Sequence, residues 1–521
     1  MRIYNTLTRE KSEFTPITPG RVSMYVCGIT SYAPSHIGHA RAYVSFDTVY
    51  RWLSRRYEVT FVRNFTDVDD KIINAAKALG EDPKELSERY IAMFHEDMGR
   101  LGCRSPSHEP KVTEHIGPIV ALIEEILAKG HAYGIDGDVY FDVASFPAYG
   151  KLSGRSIEDL LAGARVEVDQ RKRSPNDFAL WKSAKPGEPA WDSPWGKGRP
   201  GWHIECSAMS KTYLGTTFDL HCGGKDLVFP HHENEIAQTC AASGNSVMAN
   251  VWMHNGFVNL LPEACPSCKA ELPTEGALTA CPSCGRPFSE EELKMSKSRN
   301  NFFPIREVLE RHEPEALRLF LLSSHYRSPI AFSEARLDEA GRRVEKAYET
   351  LDRIGLYVAS NGQTIVETSG PRFEEVFGTD PRKAFQDAMD DDFNTALALA
   401  ETTELLKTAN DLLHGTERTE RKLGDRDRAR LLAEILELVW DQGDILGIFR
   451  ETPSELLART KTRRSSALVI TPSEIEALIA ARAEARRNKD FLRADELRKE
   501  LDAKGIIIKD GKGGTTWEPK V

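Results

Sequence analysis

Apolar residues recur with two different periods near the start of the chain, and the change of period marks the predicted elements. Every second residue of 22–26 is apolar, which predicts a buried strand. Residues 28–35 predict a turn, apolar residues then recur at helical spacing over 36–57, and a second strand is predicted at 59–64. A strand, helix, strand unit predicts a doubly wound parallel sheet, whose ligands bind at the carboxyl ends of the strands.

The spacing of apolar residues also divides the rest of the chain into segments. After the first sheet half, helical periodicity gives way to alternation and then to a stretch rich in Pro, Gly and Trp, which we interpret as an insertion between two sheet halves. Amphipathic runs without an evident internal repeat follow, with a polar linker at 460–466.

We predict an α/β protein with a Rossmann-like, doubly wound parallel-sheet catalytic domain, an α-helical bundle and a small C-terminal α/β domain. Its segments are a first catalytic half (1–111), a connective insertion (112–198), a second catalytic half (199–304) with a cysteine-rich excursion (261–293), a helical stem region (305–375), a helical bundle (376–457) and the C-terminal domain (467–521).

Composition narrows the class of protein. The 521 residues carry 69 Lys and Arg against 79 Asp and Glu, a net charge of −10, so any contact with nucleic acid must rest on a local basic patch. Residues 459–521 form such a patch, with 15 basic against 10 acidic residues. The amino terminus lacks an apolar signal core and no apolar run is long enough to span a bilayer, so we expect a cytoplasmic protein with no membrane partner.

The basic C-terminal segment predicts two helices and a hairpin. Thr471 and Glu474 form a capping box around Pro472, which places the start of the first helix. Basic helices beside an exposed-looking Trp517 suit RNA phosphates and an unstacked base. The alternative is a solvated helical face with the tryptophan in a small core.

Cysteine, histidine and carboxylate side chains from distant segments are candidates for one metal site. His231 and Glu235 lie one helical turn apart, so both side chains can reach one ion. Cys27, at the end of the first strand, and Cys206 would complete a zinc ligand set with one labile oxygen ligand. Spacing alone does not establish that the four converge. The alternative is a solvated or core His and Glu pair together with two small buried cysteines.

Two Cys-x2-Cys pairs form a separate set. Cys265 and Cys268 precede Cys281 and Cys284 by a gap of twelve residues, a spacing typical of a zinc ribbon or knuckle. Four thiolates close a tetrahedral site, so the predicted role of this metal is structural. Disulfides or free thiols are the alternative, which a reducing compartment disfavours.

Two short motifs far apart in the chain predict phosphate chemistry. H-I-G-H at 36–39 opens the first predicted helix, where free N–H groups face a ligand. K-M-S-K-S at 294–298 is a polar loop whose cations can hold a polyphosphate. Each motif alone is an ordinary helix cap or a solvated loop, whereas the two together are hard to meet by chance.

The same motifs carry a resemblance to a known family. H-I-G-H with K-M-S-K-S resembles the paired signatures of the class I aminoacyl-tRNA synthetases. Nearly the whole chain is similar to the cysteinyl-tRNA synthetase family, through Y-V-C-G-I-T at 25–30, H-I-G-H-A-R-A-Y-V-S-F-D at 36–47, R-N-F-T-D-V-D-D-K-I-I at 63–73, G-W-H-I-E-C-S-A-M-S at 201–210 and F-P-H-H-E-N-E-I-A-Q at 229–238.

The resemblance implies ATP-dependent ligation of L-cysteine to tRNA(Cys) through a cysteinyl-adenylate, with Mg²⁺ accompanying ATP. An active-site zinc would recognise the substrate thiolate, and the C-terminal domain would contact the anticodon stem. We expect a monomer. By resemblance, the site residues are the zinc ligands Cys27, Cys206, His231 and Glu235; the cysteine-binding residues Cys27, Gly28, Thr30, Thr66 and Trp202; the ATP-binding residues His36, Gly38, His39, Gly224, Asp226 and Lys297; and the catalytic residues His36, His39, Lys294 and Lys297.

The cysteine-rich excursion departs from the family pattern, because relatives usually pass almost directly from H-N-G-F-V to the K-M-S-K-S loop. We expect a rigid appendage that anchors this loop or touches the tRNA acceptor arm. Two other functions stay open, namely a ligase that passes cysteine from the adenylate to a small amine and a nonenzymatic zinc-ribbon RNA-binding protein. The first would not need residues 380–521, and the second would not need the two signature motifs.

Overall fold

The computed structural model describes residues 1–155, 170–260, 264–272, 280–289, 302–361, 372–417, 422–466, 470–511 and 514–519. The chain divides into two compact units. The first comprises Met1–Leu337, Asp380–Thr402 and Ile445–Ile448, and the second comprises Asp338–Thr379, Thr403–Asp444 and Phe449–Val521. Among the helices described, none combines the length and the apolar character needed to cross a membrane.

A four-stranded parallel sheet lies at the centre of the first unit. Its hydrogen-bonded order is β10 (Ala249–Asn255), β9 (Phe218–Gly224), β3 (Arg21–Thr30) and β4 (Glu58–Thr66). Residues 24–27 of β3 are all buried, as expected of an interior strand in a parallel sheet covered on both faces. Because the strands run in one direction, their carboxyl ends meet at one edge of the sheet. The predicted α/β class and parallel sheet are confirmed.

Helices of the first unit begin and end at the residues that their sequences favour. His36 caps the first helix, Asp82 caps the third directly before Pro83, and Gly80 ends the second in the left-handed conformation. The first six α-helices described, in chain order, are α1 (Ile37–Leu53), α2 (Asp70–Leu79), α3 (Pro83–Arg100), α4 (Ile116–Ala128), α5 (Ile204–Leu214) and α6 (Glu233–Ser243).

Smaller sheets surround the parallel one. The connective segment forms an antiparallel sheet in which neighbouring strands follow the chain order, as hairpin connections allow. Its strands are β5 (Ala132–Ile135), β6 (Asp138–Phe141), β7 (Phe178–Ser183) and β8 (Gly198–Pro200). Two further pairs are β1 (Arg2–Asn5) with β2 (Glu10–Glu13), antiparallel, and β11 (Val258–Leu260) with β12 (Ile330–Phe332), parallel.

The second half of the chain is mainly helical. Its helices are α7 (Ile305–Arg311), α8 (Pro314–Leu322), α9 (Glu334–Asn361), α10 (Phe373–Phe377), α11 (Pro381–Asp390), α12 (Thr395–His414), α13 (Asp425–Leu446), α14 (Pro453–Ser466), α15 (Pro472–Arg487) and α16 (Phe491–Ala503). Residues 460–466, the predicted polar linker, are helical and form the end of α14. Lys and Arg are good helix formers even without an amphipathic pattern, and Pro453 at the first helical position sets the helix start.

The C-terminal segment folds as two helices and the hairpin of β13 (Ile506–Gly511) and β14 (Gly514–Pro519). The predicted capping box of Thr471 and Glu474 is confirmed. Trp517 is half-buried rather than exposed, and its Nε1 donates to Glu476 Oε1 at 2.8 Å. The pairing of β14 with β13 turns the indole onto a small apolar core formed by Ile470, Ile475, Ile479, Leu501 and Ile506.

Candidate active site and metal centre

Four elements bring the predicted metal ligands to one place beside the parallel sheet. Cys27 lies in β3, and Cys206 lies in the first turn of α5. His231 belongs to the single π-helical turn Val228–His232, and Glu235 lies in the first turn of α6, which follows without a break. The ligand atoms of these four residues all lie within 4.8 Å of one another, and all four side chains are buried.

Distances within this cluster suit a tetrahedral ion. The Sγ atoms of Cys27 and Cys206 are 3.9 Å apart, near the edge of about 3.8 Å that a tetrahedron with metal–sulfur bonds of about 2.3 Å requires. Glu235 Oε1 lies 3.6 Å from Cys27 Sγ and 3.0 Å from His231 Nε2. One sulfur pair, one imidazole and one carboxylate therefore face a common point.

Further histidines, which the sequence patterns did not single out, hold these ligands in orientation. His221 Nε2 bonds the other carboxylate oxygen of Glu235 at 2.9 Å, and His203 Nδ1 lies 2.9 Å from His231 Nδ1. Outer hydrogen bonds of this kind fix which ligand atom faces a metal. The motif D-L-H-C-G-G around His221 carries no spacing that marks it as a partner of Glu235.

His232 is a second neighbour of the cluster. Its Nε2 lies 3.3 Å from Cys27 Sγ, while its Nδ1 is 2.8 Å from His254 Nε2. Cys27, His221, His232 and Glu235 thus form an overlapping group that could also hold an ion. We assign His221 to the supporting shell, because it bonds the Glu235 oxygen that points away from His231.

The electrostatics of the cluster favour a cation. Burial raises the pKa of the Cys27 thiol, and a hydrogen bond from Cys27 lowers the pKa of Cys206 to about 6. Burial disfavours a charged His231, yet the Glu235 carboxylate and Cys206 raise the pKa of His231 to about 10. Burial also opposes charge on Glu235, but His221 and His231 lower its pKa. Anions at Cys206 and Glu235 are in the form that binds a metal, whereas Cys27 and His231 would each release a proton on binding one.

The predicted cysteine-binding residues lie around this cluster. The indole of Trp202 stacks on His231 with ring centroids 4.5 Å apart, and the Lys71 ammonium lies 5.7 Å from the indole centroid. Thr66, at the carboxyl end of β4, donates to Glu205 Oε2 at 2.8 Å and pairs with Thr30 across the sheet. Gly28 directly follows Cys27 at the irregularity in the β3 and β4 register.

The H-I-G-H residues form the start of α1. His36 Nδ1 accepts from the N–H of Gly38 at 3.0 Å, and the His36 N–H donates to His39 Nδ1 at 3.3 Å. The two imidazoles stack with centroids 3.9 Å apart. Burial and the neighbouring His36 lower the pKa of His39 well below its ordinary value, so His39 offers a neutral ring.

The remaining predicted site residues are the two of the ribose-binding turn, the two lysines of K-M-S-K-S and the four cysteines of the excursion. Gly224 ends β9, and Asp226 is exposed in the following turn, where a Cβ on Gly224 would come within 2.4 Å of Asp226 Oδ1. Lys294 and Lys297 lie outside the described residues. Cys265, Cys268, Cys281 and Cys284 converge in a second group that could bind a metal ion.

Three family models match the chain. The model of the tRNA synthetases class I (C) catalytic domain matches residues 13–265 and 288–342, that of the DALR domain matches 384–450, and that of the cysteinyl-tRNA ligase anticodon binding domain matches 471–517. The parallel sheet with its H-I-G-H helix start, together with these matches, defines a class I aminoacyl-tRNA synthetase.

Whole-chain relatives narrow this class. The chain is 51% identical to the cysteine–tRNA ligase of Pelobacter propionicus over 529 aligned residues, which cover 99% of each chain. It is also 51% identical to that of Geobacter metallireducens over 521 residues, or 100% of each chain. The chain belongs to the cysteine–tRNA ligase family. Mycobacterium tuberculosis methionyl-tRNA synthetase in complex with methionyl-adenylate shares its fold, with a TM-score of 0.54, 14% identity and coverage of 84% of this chain and 93% of that one.

Proposed function

We propose that this ligase joins L-cysteine to tRNA(Cys) through a cysteinyl-adenylate and recognises the substrate thiol by a zinc ion at Cys27, Cys206, His231 and Glu235. The observation that carries the proposal is the convergence of these four buried side chains beside the same strand whose following helix starts with H-I-G-H. Mg²⁺ would accompany ATP.

The donor set supports zinc at this site. Two sulfurs, one imidazole and one carboxylate are the donor types that zinc takes, and the Sγ atoms of Cys27 and Cys206 are 3.9 Å apart, close to a tetrahedral edge. Glu235 would be the single oxygen donor to a zinc held there, and zinc would bind the softer sulfur donors in preference to oxygen. A bound zinc would supply selective affinity for the substrate thiolate.

The proposal accounts for discrimination between cysteine and serine. A thiolate is a far better zinc ligand than a hydroxyl, so serine would lose its main anchor. Trp202 covers His231 and would form one wall of the amino-acid site. Selectivity would then reside in the first binding step, and a separate editing site would not be needed.

Adenylate formation needs positioning more than covalent help from the protein. The cysteine carboxylate attacks the α-phosphorus of ATP as the bond to pyrophosphate breaks, and the terminal ribose hydroxyl of tRNA then attacks the adenylate carbonyl, releasing AMP. His36 and His39 would hold phosphate oxygens at the start of α1, with Gly38 allowing close approach of the nucleotide. Gly224 and Asp226 would hold the ribose, and Lys294 and Lys297 the departing pyrophosphate.

Charging assays test the proposal. Purified tRNA and ATP are supplied with cysteine or with serine, and ATP–pyrophosphate exchange is followed in parallel. We expect charging with cysteine and, at equal concentrations, no detectable charging with serine. Transfer of cysteine to a small amine without tRNA would favour the alternative ligase. RNA binding without pyrophosphate exchange would favour a nonenzymatic RNA-binding protein.

A further inference from the structure

The cysteine-rich excursion contains a duplicated turn. A-C-P-S-C-K-A-E-L at 264–272 and A-C-P-S-C-G-R-P-F at 280–288 match at an offset of sixteen residues, from Cys265 to Cys281. Within each copy the first cysteine donates its N–H to a carbonyl five residues on, Cys265 to Ala270 and Cys281 to Arg286, both at 2.8 Å.

Other features of the backbone repeat at the same offset. Lys269 and Gly285 both adopt a positive φ, 60° and 71°, directly after the second cysteine of their copy. The isolated bridge of Ala264 with Glu271 is matched by that of Ala280 with residue 287. Each copy is therefore one knuckle that presents two sulfurs, one from a buried and one from an exposed cysteine.

The two knuckles place their sulfurs as a metal would require. Cys265 Sγ lies 3.8 Å from Cys284 Sγ, and Cys268 Sγ lies 3.6 Å from Cys281 Sγ. A tetrahedron with zinc–sulfur bonds of about 2.3 Å has edges of about 3.8 Å. A disulfide would bring two sulfurs to about 2.05 Å, whereas all four cysteines are free in this structure.

Backbone amides surround the sulfurs at the buried positions. The N–H groups of Ser267 and Cys268 hydrogen-bond Cys265, and those of Ser283 and Cys284 hydrogen-bond Cys281. Amide donors of this kind commonly face the sulfur of a metal-binding cysteine.

The described residues of the knuckles form only a small apolar cluster. It contains Leu272 and Phe288 besides the two buried cysteines. Segments of this size with so few apolar contacts usually depend on a metal for folding. The class I catalytic model matches the chain up to 265 and again from 288, so the excursion lies between the two matched segments.

We propose that Cys265, Cys268, Cys281 and Cys284 bind a second zinc ion, which folds residues 264–272 and 280–289 and takes no part in recognising cysteine. Four protein thiolates fill a tetrahedral zinc, which leaves no position for a substrate group. The first cluster differs, since Glu235 gives it a labile oxygen ligand. This inference does not depend on the proposed function.

Metal analysis of the full-length chain tests the inference. We expect two zinc ions per chain in the wild type, one in the double variant Cys268→Ser/Cys284→Ser and one in Cys206→Ser. Both cysteines of the double variant are exposed, so their replacement leaves no buried void. Cys103→Ala, which removes a thiol outside both clusters, should keep two. Equal zinc content in the wild type and the double variant, loss of all zinc in Cys206→Ser, or iron in place of the second zinc would overturn the assignment.

Hydrogen exchange measured by mass spectrometry separates the two metals. In Cys268→Ser/Cys284→Ser the amides of Cys265 and Cys281, which donate to the carbonyls of Ala270 and Arg286, should exchange at least tenfold faster. Peptides from β3 and α6 should keep their wild-type protection. In Cys206→Ser the peptides of 264–272 and 280–289 should stay protected. Unchanged exchange of these peptides in the double variant, or their loss of protection in Cys206→Ser, would contradict a separate metal-dependent fold.

Discussion

The backbone N–H of Ile37 donates to the carbonyl oxygen of Phe303, 266 residues later in the chain, with an N to O distance of 3.1 Å. The N–H of Ile305 in turn donates to the carbonyl of Ser35 at 2.9 Å, and the Phe302 ring meets that of His36 edge-on with centroids 5.1 Å apart. The H-I-G-H turn is thus bonded to the segment that follows K-M-S-K-S by only a few residues.

Lys297 precedes Phe302 by five residues in the sequence and is proposed to hold the departing pyrophosphate. We expect Lys297→Ala to slow ATP–pyrophosphate exchange by about 10²–10³-fold, because a cation that faces developing charge is lost. Zinc content and cysteine affinity should stay unchanged. Lys77→Ala, which removes an exposed lysine of α2, serves as control. An unchanged exchange rate in Lys297→Ala would remove this lysine from the proposed chemistry.

A second prediction concerns the hydrogen bond between His221 Nε2 and Glu235 Oε2. His221 also stacks on Trp252 with centroids 4.3 Å apart, so His221→Phe keeps an aromatic ring there and removes only the donor. We expect the affinity of the active-site zinc to fall by about 10–100-fold, because the carboxylate is no longer oriented. Competition with a coloured chelator measures this affinity.

The matched control for that variant is His131→Phe. His131 bonds Ser145 Oγ at 2.9 Å and stacks on Phe141, outside both metal clusters. Its replacement should leave zinc affinity at the wild-type value. Equal affinities for His221→Phe and the wild type would mean that the ligands of the cluster hold Glu235 without this support.

Much of the catalytic fold could be predicted from the local pattern. Strands predicted at 22–26 and 59–64 appear as β3 (Arg21–Thr30) and β4 (Glu58–Thr66), longer at both ends because neighbouring strands add hydrogen bonds that periodicity does not record. The helix predicted over 36–57 ends at Leu53. The i, i+4 pair of His231 and Glu235 was also readable, since one helical turn fixes their proximity.

Other features depend on contacts between distant segments. His221 bonds Glu235, 14 residues later, and Asp47 bonds Arg318, 271 residues later. Nothing in the sequence around His221 or Asp47 indicates these partners. Part of the basic charge of the C-terminal helices is neutralised within the domain, since Arg482 forms an ion pair with Asp510 at 2.9 Å. The repeated A-C-P-S-C, by contrast, was visible in the sequence, and alignment of the chain with itself would have found it.

Gly28 is required by a close approach of two strands. A Cβ at this position would lie 1.5 Å from the carbonyl oxygen of Asn64, whose Oδ1 also accepts from the Gly28 N–H at 2.9 Å. We expect Gly28→Ala to push β3 from β4 beside Cys27, to destabilise the chain by at least about 1–3 kcal/mol and to weaken zinc binding. Urea unfolding and zinc content measure the two effects.

The control for this substitution is Gly117→Ala. Gly117 lies in α4, and a Cβ there meets nothing within 4 Å. Gly117 lies in the first turn and directly precedes Pro118, which offsets the helix-forming advantage of alanine, so this variant should stay within about 1 kcal/mol of the wild type and retain its zinc. Full zinc content and wild-type stability in Gly28→Ala would contradict the prediction, because β3 and β4 would then separate at this position without loss of free energy of unfolding.

The last prediction concerns the buried ion pair of Asp47 and Arg318, whose side chains are 2% and 0% exposed. Arg51 Nε adds a hydrogen bond to the same carboxylate at 2.8 Å, and the Arg104 N–H bonds its other oxygen at 2.8 Å. Asp47→Asn leaves the guanidinium of Arg318 buried without its counter-charge. We expect a loss of about 3–5 kcal/mol in the free energy of unfolding at pH 7, measured by urea unfolding.

The pH dependence of this loss has a defined sign. Burial opposes charge on Asp47, but Arg318 and Arg51 hold its pKa below the ordinary value. A carboxyl whose pKa is lower in the folded state contributes stability above its unfolded pKa of about 3.9, and this contribution disappears as the pH falls through the folded value. The difference in the free energy of unfolding between wild type and Asp47→Asn should therefore be constant from pH 6 to 8 and shrink below about pH 4.

The control is Glu58→Gln, which breaks an exposed pair with Arg21 and should cost about 0–1 kcal/mol both at neutral pH and below pH 4. A difference for Asp47→Asn as small as that of Glu58→Gln would show that the buried pair does not stabilise the catalytic unit.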